Sequence, residues 1–147
     1  MRIRISSFLV AVLFALVAVP AHATDPGWQS PDTLTGFAGS YTRPPFGTGN
    51  IAFVTLSGTD GYRAEGPYTR FFDAGGGRLE LQSGKYSALG QNPAIGAYIR
   101  FDDAAGNFRD LYSIIGIKRD PFGGKITALE LVDFRDGKVF SLVRVGL

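Results

Sequence analysis

Whatever chemistry this chain performs falls to a short roster of side chains. From Thr24 onward there is no Cys, no His and no Met, because the only His is His22 and the only Met is Met1. Thiol nucleophiles, Ser-His-Asp relays, thiolate or imidazole zinc sites and haem ligation by these side chains all lack their residues over that stretch. Acid–base work is left to carboxylates, Tyr and Lys. A glycosidase-type pair needs two carboxyls about 5–10 Å apart across a cleft. The only glutamates are Glu65, Glu80 and Glu130, and their spacing shows no pairing signature. The inventory argues against an enzyme, and no catalytic residue is assigned.

Three other groupings carry polar chemistry. Asp102-Asp103, Asn107 and Asp110 flank one hairpin and offer the oxygen ligands that calcium prefers. The Asp-x-Asp-x-Asp-Gly spacing of an EF-hand loop is missing, so they read as turn formers and no metal site is expected. Gly75-Gly76-Gly77 has the flexibility of a phosphate loop, but no Lys-Ser/Thr follows and no helix begins there, so it reads as a hairpin connection. Arg63, Arg70 and Arg78 are interleaved with Tyr62, Tyr68, Phe71 and Phe72, a composition that single-stranded nucleic-acid platforms use. Solvated strand faces explain that pattern better in a chain of balanced charge, and neither nucleic acid nor a cofactor is expected.

The charge balance depends on what happens at the N-terminus. Arg2 and Arg4 precede an unbroken apolar run, Phe8 to Val19, and the segment closes on Pro20-Ala21-His22-Ala23. That order of basic, apolar and small-residue regions is a secretory signal with an A-x-A-like cleavage site. The run falls short of the roughly 20 residues that span a bilayer. Cleavage after Ala23 is expected, leaving a periplasmic or secreted protein that does not span a membrane. Of 15 Lys+Arg and 13 Asp+Glu, Arg2 and Arg4 depart with the signal, so the two signs become equal at 13 each. No Cys lies near the junction to carry a lipid.

The elements that must position these side chains read as β throughout. Residues 24–36 form an arm holding Trp28 and a short helical turn, with Ser30 as N-cap and Pro31 at the first helical position. Beyond Phe37 there is no sustained 3.6-residue period. Short period-two segments are instead punctuated by Gly, Asp and Asn. The expected strands are Phe37–Arg43, Ile51–Ser57, Gly61–Gly66, Tyr68–Asp73, Arg78–Gln82, Ile95–Asp102, Phe108–Lys118, Ile126–Phe134 and Lys138–Val145. Their mostly short connections imply an antiparallel up-and-down meander of about eight or nine strands, residues 37–147, closing into a small barrel. Pro44–Asn50, Ser83–Ala94 and Arg119–Lys125 read as longer linkers.

Strand Ile95–Asp102 alternates cleanly, with Ala97, Ile99 and Phe101 on one face and Tyr98, Arg100 and Asp102 on the other. The last three strands are apolar on both faces. One face fills the core, and the second calls for a cover: a ligand cavity, a partner subunit or homodimer, or the N-terminal arm folded back. A three-residue Arg135-Asp136-Gly137 loop pairs Phe134 with Lys138 and Val132 with Phe140. That register sets Glu130 and Arg144 diagonally on one face and predicts a salt bridge between them.

In layout the chain resembles the lipocalin-like, or calycin-type, β-barrels. In that superfamily a helical turn leads into a first strand carrying Gly-x-Trp, and a basic residue late in the last strand meets that aromatic and closes one end. Gly39-Ser40-Tyr41 stands where Gly-x-Trp would be, with Tyr41 replacing Trp, and Arg144 is the candidate basic residue. The resemblance implies a barrel closed by Tyr41 and Arg144, and the hairpin register adds Glu130 to that closure.

Two functions are compatible with these readings. The first is an exported, non-enzymatic binding module holding a small apolar molecule among Phe53, Tyr112, Ile114, Val132, Phe140 and Leu142. The second is a protein-interaction module, an inhibitor or envelope assembly factor, that uses an apolar sheet face and the Pro-stiffened arm with Trp28 as its anchor.

Overall fold

The structure is a computed structural model and describes residues 27–91 and 96–146. The signal segment expected at Met1–Ala23, the first residues of the arm and the expected strand start at Ile95 lie outside the described residues. Eight strands form: β1 (Gly39–Thr42), β2 (Ile51–Leu56), β3 (Arg63–Asp73), β4 (Leu79–Leu89), β5 (Tyr98–Asp103), β6 (Phe108–Arg119), β7 (Ile126–Asp133) and β8 (Val139–Arg144). Each pairs antiparallel with the next, and β1 returns to β8 through Tyr41↔Arg144 and Thr42↔Val143, so the barrel is closed.

The inward face of every strand joins one core. Tyr41, Val54, Tyr68, Tyr86, Ile99, Phe101, Tyr112, Ile114, Leu131, Phe140 and Leu142 are all buried in it. Burying a large apolar side chain contributes about 1.5–3 kcal/mol. In a chain without cysteine this burial, rather than cross-linking, carries the fold.

The two short strands expected at Gly61–Gly66 and Tyr68–Asp73 are one strand, β3, which runs through Pro67. A proline removes a ladder donor, and the accounting at this point is closed by a tyrosine. Ser57 N–H donates to the Pro67 carbonyl at 3.1 Å, and the Ser57 carbonyl that a residue-67 amide would have met accepts the Tyr86 hydroxyl at 2.9 Å. Strand β4 also continues through Ser83-Gly84-Lys85, expected as linker. Gly84 belongs there because a Cβ would collide with the Asp102 carbonyl of β5, so the two backbones approach only at glycine. No helix forms at Ser30–Leu34. Leu34 and Phe37 are both fully buried, and the chain turns between them with Phe37 N–H on the Leu34 carbonyl at 3.0 Å.

A bulge in β6 and the pairing of β7 with β8 both place side chains on a face other than the expected one. A bulge between Ile114 and Gly116 brings Ile117 onto the inner face, opposite Leu129, leaving Ile115 outside. At the β7–β8 turn the expected pairing is one residue out. Val132 pairs with Val139, Leu131 with Phe140, and Glu130 with Ser141. The cause is a longer loop, in which Asp133 N–H donates to the Lys138 carbonyl at 3.0 Å and Gly137 N–H to the Asp133 carbonyl at 2.8 Å. A one-residue slip exchanges the faces of a strand. Glu130 and Val132 therefore point outward while Arg144 points in, and the expected Glu130–Arg144 salt bridge is ruled out by this register.

Candidate functional site

One end of the barrel is sealed by Arg144. Its Nε donates to the Ile126 carbonyl at 2.6 Å, Nη1 to Ala38 at 3.0 Å, and Nη2 to the Gly36 carbonyl at 2.6 Å and the Tyr41 hydroxyl at 2.9 Å. The guanidinium also stacks over the Tyr41 ring at 4.9 Å. Tyr41 Oη donates onward to the Phe37 carbonyl at 2.5 Å. Gly39 is required beneath it, since a Cβ there would fall on the guanidinium. Burial pushes the Tyr41 hydroxyl well above its ordinary pKa, against the opposing charge of Arg144. Arg119 adds bonds to the carbonyls of Thr33, Thr35 and Gly124. Two arginines thus satisfy the carbonyls of the irregular segment 33–38, which has no ladder of its own.

The other half of the lumen is polar. Arg70, 1% exposed, makes a two-pronged bond to Asp110, with Nη1 to Oδ1 at 3.0 Å and Nη2 to Oδ2 at 2.8 Å. Its Nε donates to Gln82 Oε1 at 3.0 Å. Its guanidinium carbon lies 4.6 Å from the Phe101 ring centroid and 4.9 Å from that of Phe72. Tyr112 Oη donates to Asn50 Oδ1 at 2.7 Å and stands 3.3 Å from Asp110 Oδ2. Asn50 Nδ2 then donates to Asp133 Oδ2 at 3.0 Å, where Arg135 also bonds at 3.1 Å. Burial first, then the charge of Asp110, raises the Tyr112 hydroxyl far above its ordinary pKa.

Above this network the barrel mouth holds an open cleft of about 540 Å³, lined by Thr48, Gly49, Asn50, Asp73, Gly75, Asp133, Asp136, Lys138, Val139 and Phe140. Three hairpin connections converge on it. Arg43 holds two of them together, donating from Nη1 to the Gly49 carbonyl at 2.9 Å and to Asp73 Oδ2 at 3.0 Å. The Gly75 amide bonded to Asp73 Oδ1, with Arg43 second, holds the Asp73 carboxyl below its ordinary pKa.

Of the six residues expected to line a ligand cavity, Tyr112, Ile114, Phe140 and Leu142 are interior and at most 5% exposed. They pack on one another and on the neighbouring rings: Tyr112 meets Phe101 edge-on at 5.9 Å and Phe140 at 5.7 Å. Of these, Phe140 alone reaches the cleft. Phe53 lies outside, opposite Phe71 and Thr42. Val132, expected on the same face as Phe140 and Leu142, lies instead on the outer face of β7, where it is nevertheless buried. Trp28 lies against Gly116 on the outer surface of β6, with Lys118 Nζ 4.7 Å from its ring. Paired bonds between Gln29 and Ile117, at 2.8 and 3.0 Å, hold the arm there. The arm is thus a cover for part of the second apolar face.

No known protein family, characterised protein or solved structure matches the chain. The architecture therefore rests on its own geometry, a closed eight-stranded antiparallel barrel. Arg70 and Asp110 were missed from the sequence, where Arg70 read as solvent-facing and Asp110 as a turn former. A signal was present: Tyr68, Arg70 and Phe72 share one face, and an arginine between two aromatics on a face with Ala64 is placed to go inside. The acidic hairpin does not act as one cluster. Asp103 Oδ1 caps the turn through the Ala105 and Asn107 amides, both at 2.9 Å, Asp102 bonds Arg100 at 2.8 Å, and Asp110 turns inward. Among the described residues no group of His, Cys, Asp and Glu is arranged to hold a metal.

Proposed function

We propose that this chain is an exported, non-enzymatic binding module, of calycin-like build, that takes a small amphiphilic molecule at the open mouth of its barrel. The observation that carries this reading is the asymmetry of the two ends. One is sealed by Arg144 and Arg119, and the other keeps a cleft of about 540 Å³, within the roughly 300–1,000 Å³ of small-molecule sites. Asn50, Asp133, Asp136 and Lys138 offer a polar rim, while Val139 and Phe140 offer an apolar floor. An apolar group resting there sits on top of the column Phe140–Tyr112–Phe101. Entering deeper, among Tyr112, Ile114 and Leu142, requires those side chains to part.

Binding is favoured over catalysis by the state of the mouth carboxylates. Asp73 accepts from Gly75 and Arg43, and Asp133 accepts from Asn50 and Arg135. Their oxygens are engaged in fixing loops, which leaves little capacity for proton transfer. Export rests on the signal-like segment ending at Ala23.

Native mass spectrometry of the mature protein from its own host tests the reading. A bound mass that disappears on organic extraction, and that is lost from Thr48→Trp with the circular dichroism unchanged, is the expected result. Protein that arrives bare would overturn the binding module. A mass retained in Thr48→Trp would overturn the mouth as its site.

A further inference from the structure

The β3–β4 hairpin is longer than the wall of the barrel. Strand β4 pairs with β3 along its whole length, Leu79 to Leu89, but with β5 only from Gly84 onward. Residues 79–83 thus form a strand with a sheet partner on one side. The direction of the backbone groups follows from the ladder. Ala74 N–H donates to the Arg78 carbonyl at 2.9 Å and Asp73 N–H turns to the Asn50 carbonyl on the β2 side. Hydrogen-bonded pairs recur at every second residue of an antiparallel ladder. Phe72–Glu80 and Arg70–Gln82 are therefore bonded pairs, and Leu79, Leu81 and Ser83 direct their amides and carbonyls away from β3. Arg109 Nη1 takes the Ser83 carbonyl at 3.1 Å. The backbone groups of Leu79 and Leu81 face the open edge.

This edge is lightly protected: Leu79-Glu80-Leu81-Gln82-Ser83 has no Pro, Lys or bulge, Glu80 is its one charge, and only its Ser83 end is covered, by Arg109. Leu81 is 69% exposed and Leu79 52%, and Phe71, the cross-strand partner of Leu81, is 42% exposed.

We infer that this edge docks a second copy of the same chain, the two β4 segments pairing antiparallel about a two-fold axis through Leu81. The segment is self-complementary in that register. Leu81 meets Leu81 of the other copy as a hydrogen-bonded pair, Leu79 meets Ser83, and Glu80 meets Gln82, an amide facing a carboxylate. Centring on Glu80 instead would set two carboxylates directly opposite each other, which is unfavourable. Five residues a side bury less than the ~1,200 Å² of a standard interface, so the dimer is a weak one, independent of any ligand at the mouth.

Sedimentation velocity from about 10 µM to about 1 mM reads the association, and a chain with no cysteine allows the register to be read by single cysteines. Wild type is expected to show a concentration-dependent dimer, with Leu81→Lys raising its Kd at least about tenfold. Under mild oxidation Leu81→Cys is expected to form a covalent dimer at least about ten times faster than Leu79→Cys or Ser83→Cys alone, while an equal mixture of those two cross-links to each other. Wild type that stays monomeric to the highest concentration overturns the proposal. So does a dimer indifferent to Leu81→Lys, or equal cross-linking at all three positions. The exposure of Leu79, Leu81 and Ser83 lets each variant keep the fold.

Discussion

Replacing Arg70 by Met separates the buried ion pair from the packing around it. Methionine retains an unbranched stem against the rings of Phe101 and Phe72, 4.6 and 4.9 Å from the guanidinium carbon, but it donates nothing. Asp110, 2% exposed, then keeps only the Tyr112 hydroxyl at 3.3 Å. Removing one partner of a buried pair and leaving the other charged costs about 3–5 kcal/mol. The bond to Gln82 adds little, since Gln82 is only half-buried and water can replace Arg70 there. A loss of about 4 kcal/mol is a large part of the ~5–15 kcal/mol that holds a typical domain. With a urea slope of about 1.5 kcal/mol/M, the unfolding midpoint falls by roughly 2.5 M.

The double variant Arg70→Met/Asp110→Leu removes the stranded charge as well, and is expected within about 1 kcal/mol of wild type, or above it, because apolar replacements of a buried pair are often neutral or stabilising. Equilibrium urea unfolding followed by Trp28 fluorescence, with far-ultraviolet circular dichroism as the second probe, measures both. A midpoint drop under about 0.5 M for the single variant would refute the argument, and so would a double variant no more stable than the single.

At the sealed end, Arg144→Ala strips donors from the carbonyls of Ile126, Ala38 and Gly36 and from Tyr41 Oη, and is expected to cost about 2–4 kcal/mol in the same urea assay; Arg144→Lys recovers only a minor part, since an ammonium cannot span that spread of acceptors. Tyr86 predicts the alkaline limit. Burial, then the charges of Asp60 and Glu65, pushes its hydroxyl up to about 12 from an ordinary 10.0. A folded-state value above the unfolded one means its contribution is complete below pH 10 and drains as pH rises through about 12. Urea midpoints from about pH 8 to 11.5 should therefore fall less steeply for Tyr86→Phe than for wild type, and parallel curves would contradict that assignment.

Much of the barrel could be read from period-two alternation, because the inner face must be apolar wherever the outer face meets water. Ala97, Ile99 and Phe101 show this plainly, whereas the meeting of Tyr41 with Arg144 was implied by the resemblance to calycin-type barrels and not by the alternation. The reading failed where a side chain rather than the backbone satisfies the sheet. Ser83-Gly84-Lys85 looks like loop, yet Gly84 is the residue that lets β4 and β5 touch. Pro67 looks like a strand break, yet Tyr86 reaches across to bind the carbonyl that proline leaves vacant. The polar lumen was hidden for a related reason. An arginine on a strand is ordinarily solvated, and only a carboxylate forty residues later, on a strand brought close by closure of the barrel, makes burial of Arg70 affordable.

The register of the last hairpin decides whether there is a mouth site at all. In the three-residue turn read from Arg135-Asp136-Gly137, Phe134 would join Phe140 and Leu142 on the inner face and Asp133 would point to solvent. The lumen would then be capped by a ring, with Asn50 facing no carboxylate. The longer loop reverses this because Asp133 serves both sides of it. Its Oδ1 accepts the Arg135 amide at 2.9 Å within the turn, while its Oδ2 accepts Asn50 from the β1–β2 connection at 3.0 Å. Asn50 is in turn held from within by Tyr112, whose own position is set by Phe101 and Phe140. The cleft is therefore shaped from the core outward: buried rings place Tyr112, Tyr112 places Asn50, and Asp133 locks that loop to the turn opposite. The ligand we propose for this mouth would meet a rim already tied together by these bonds, so little of its binding energy would go to ordering loops.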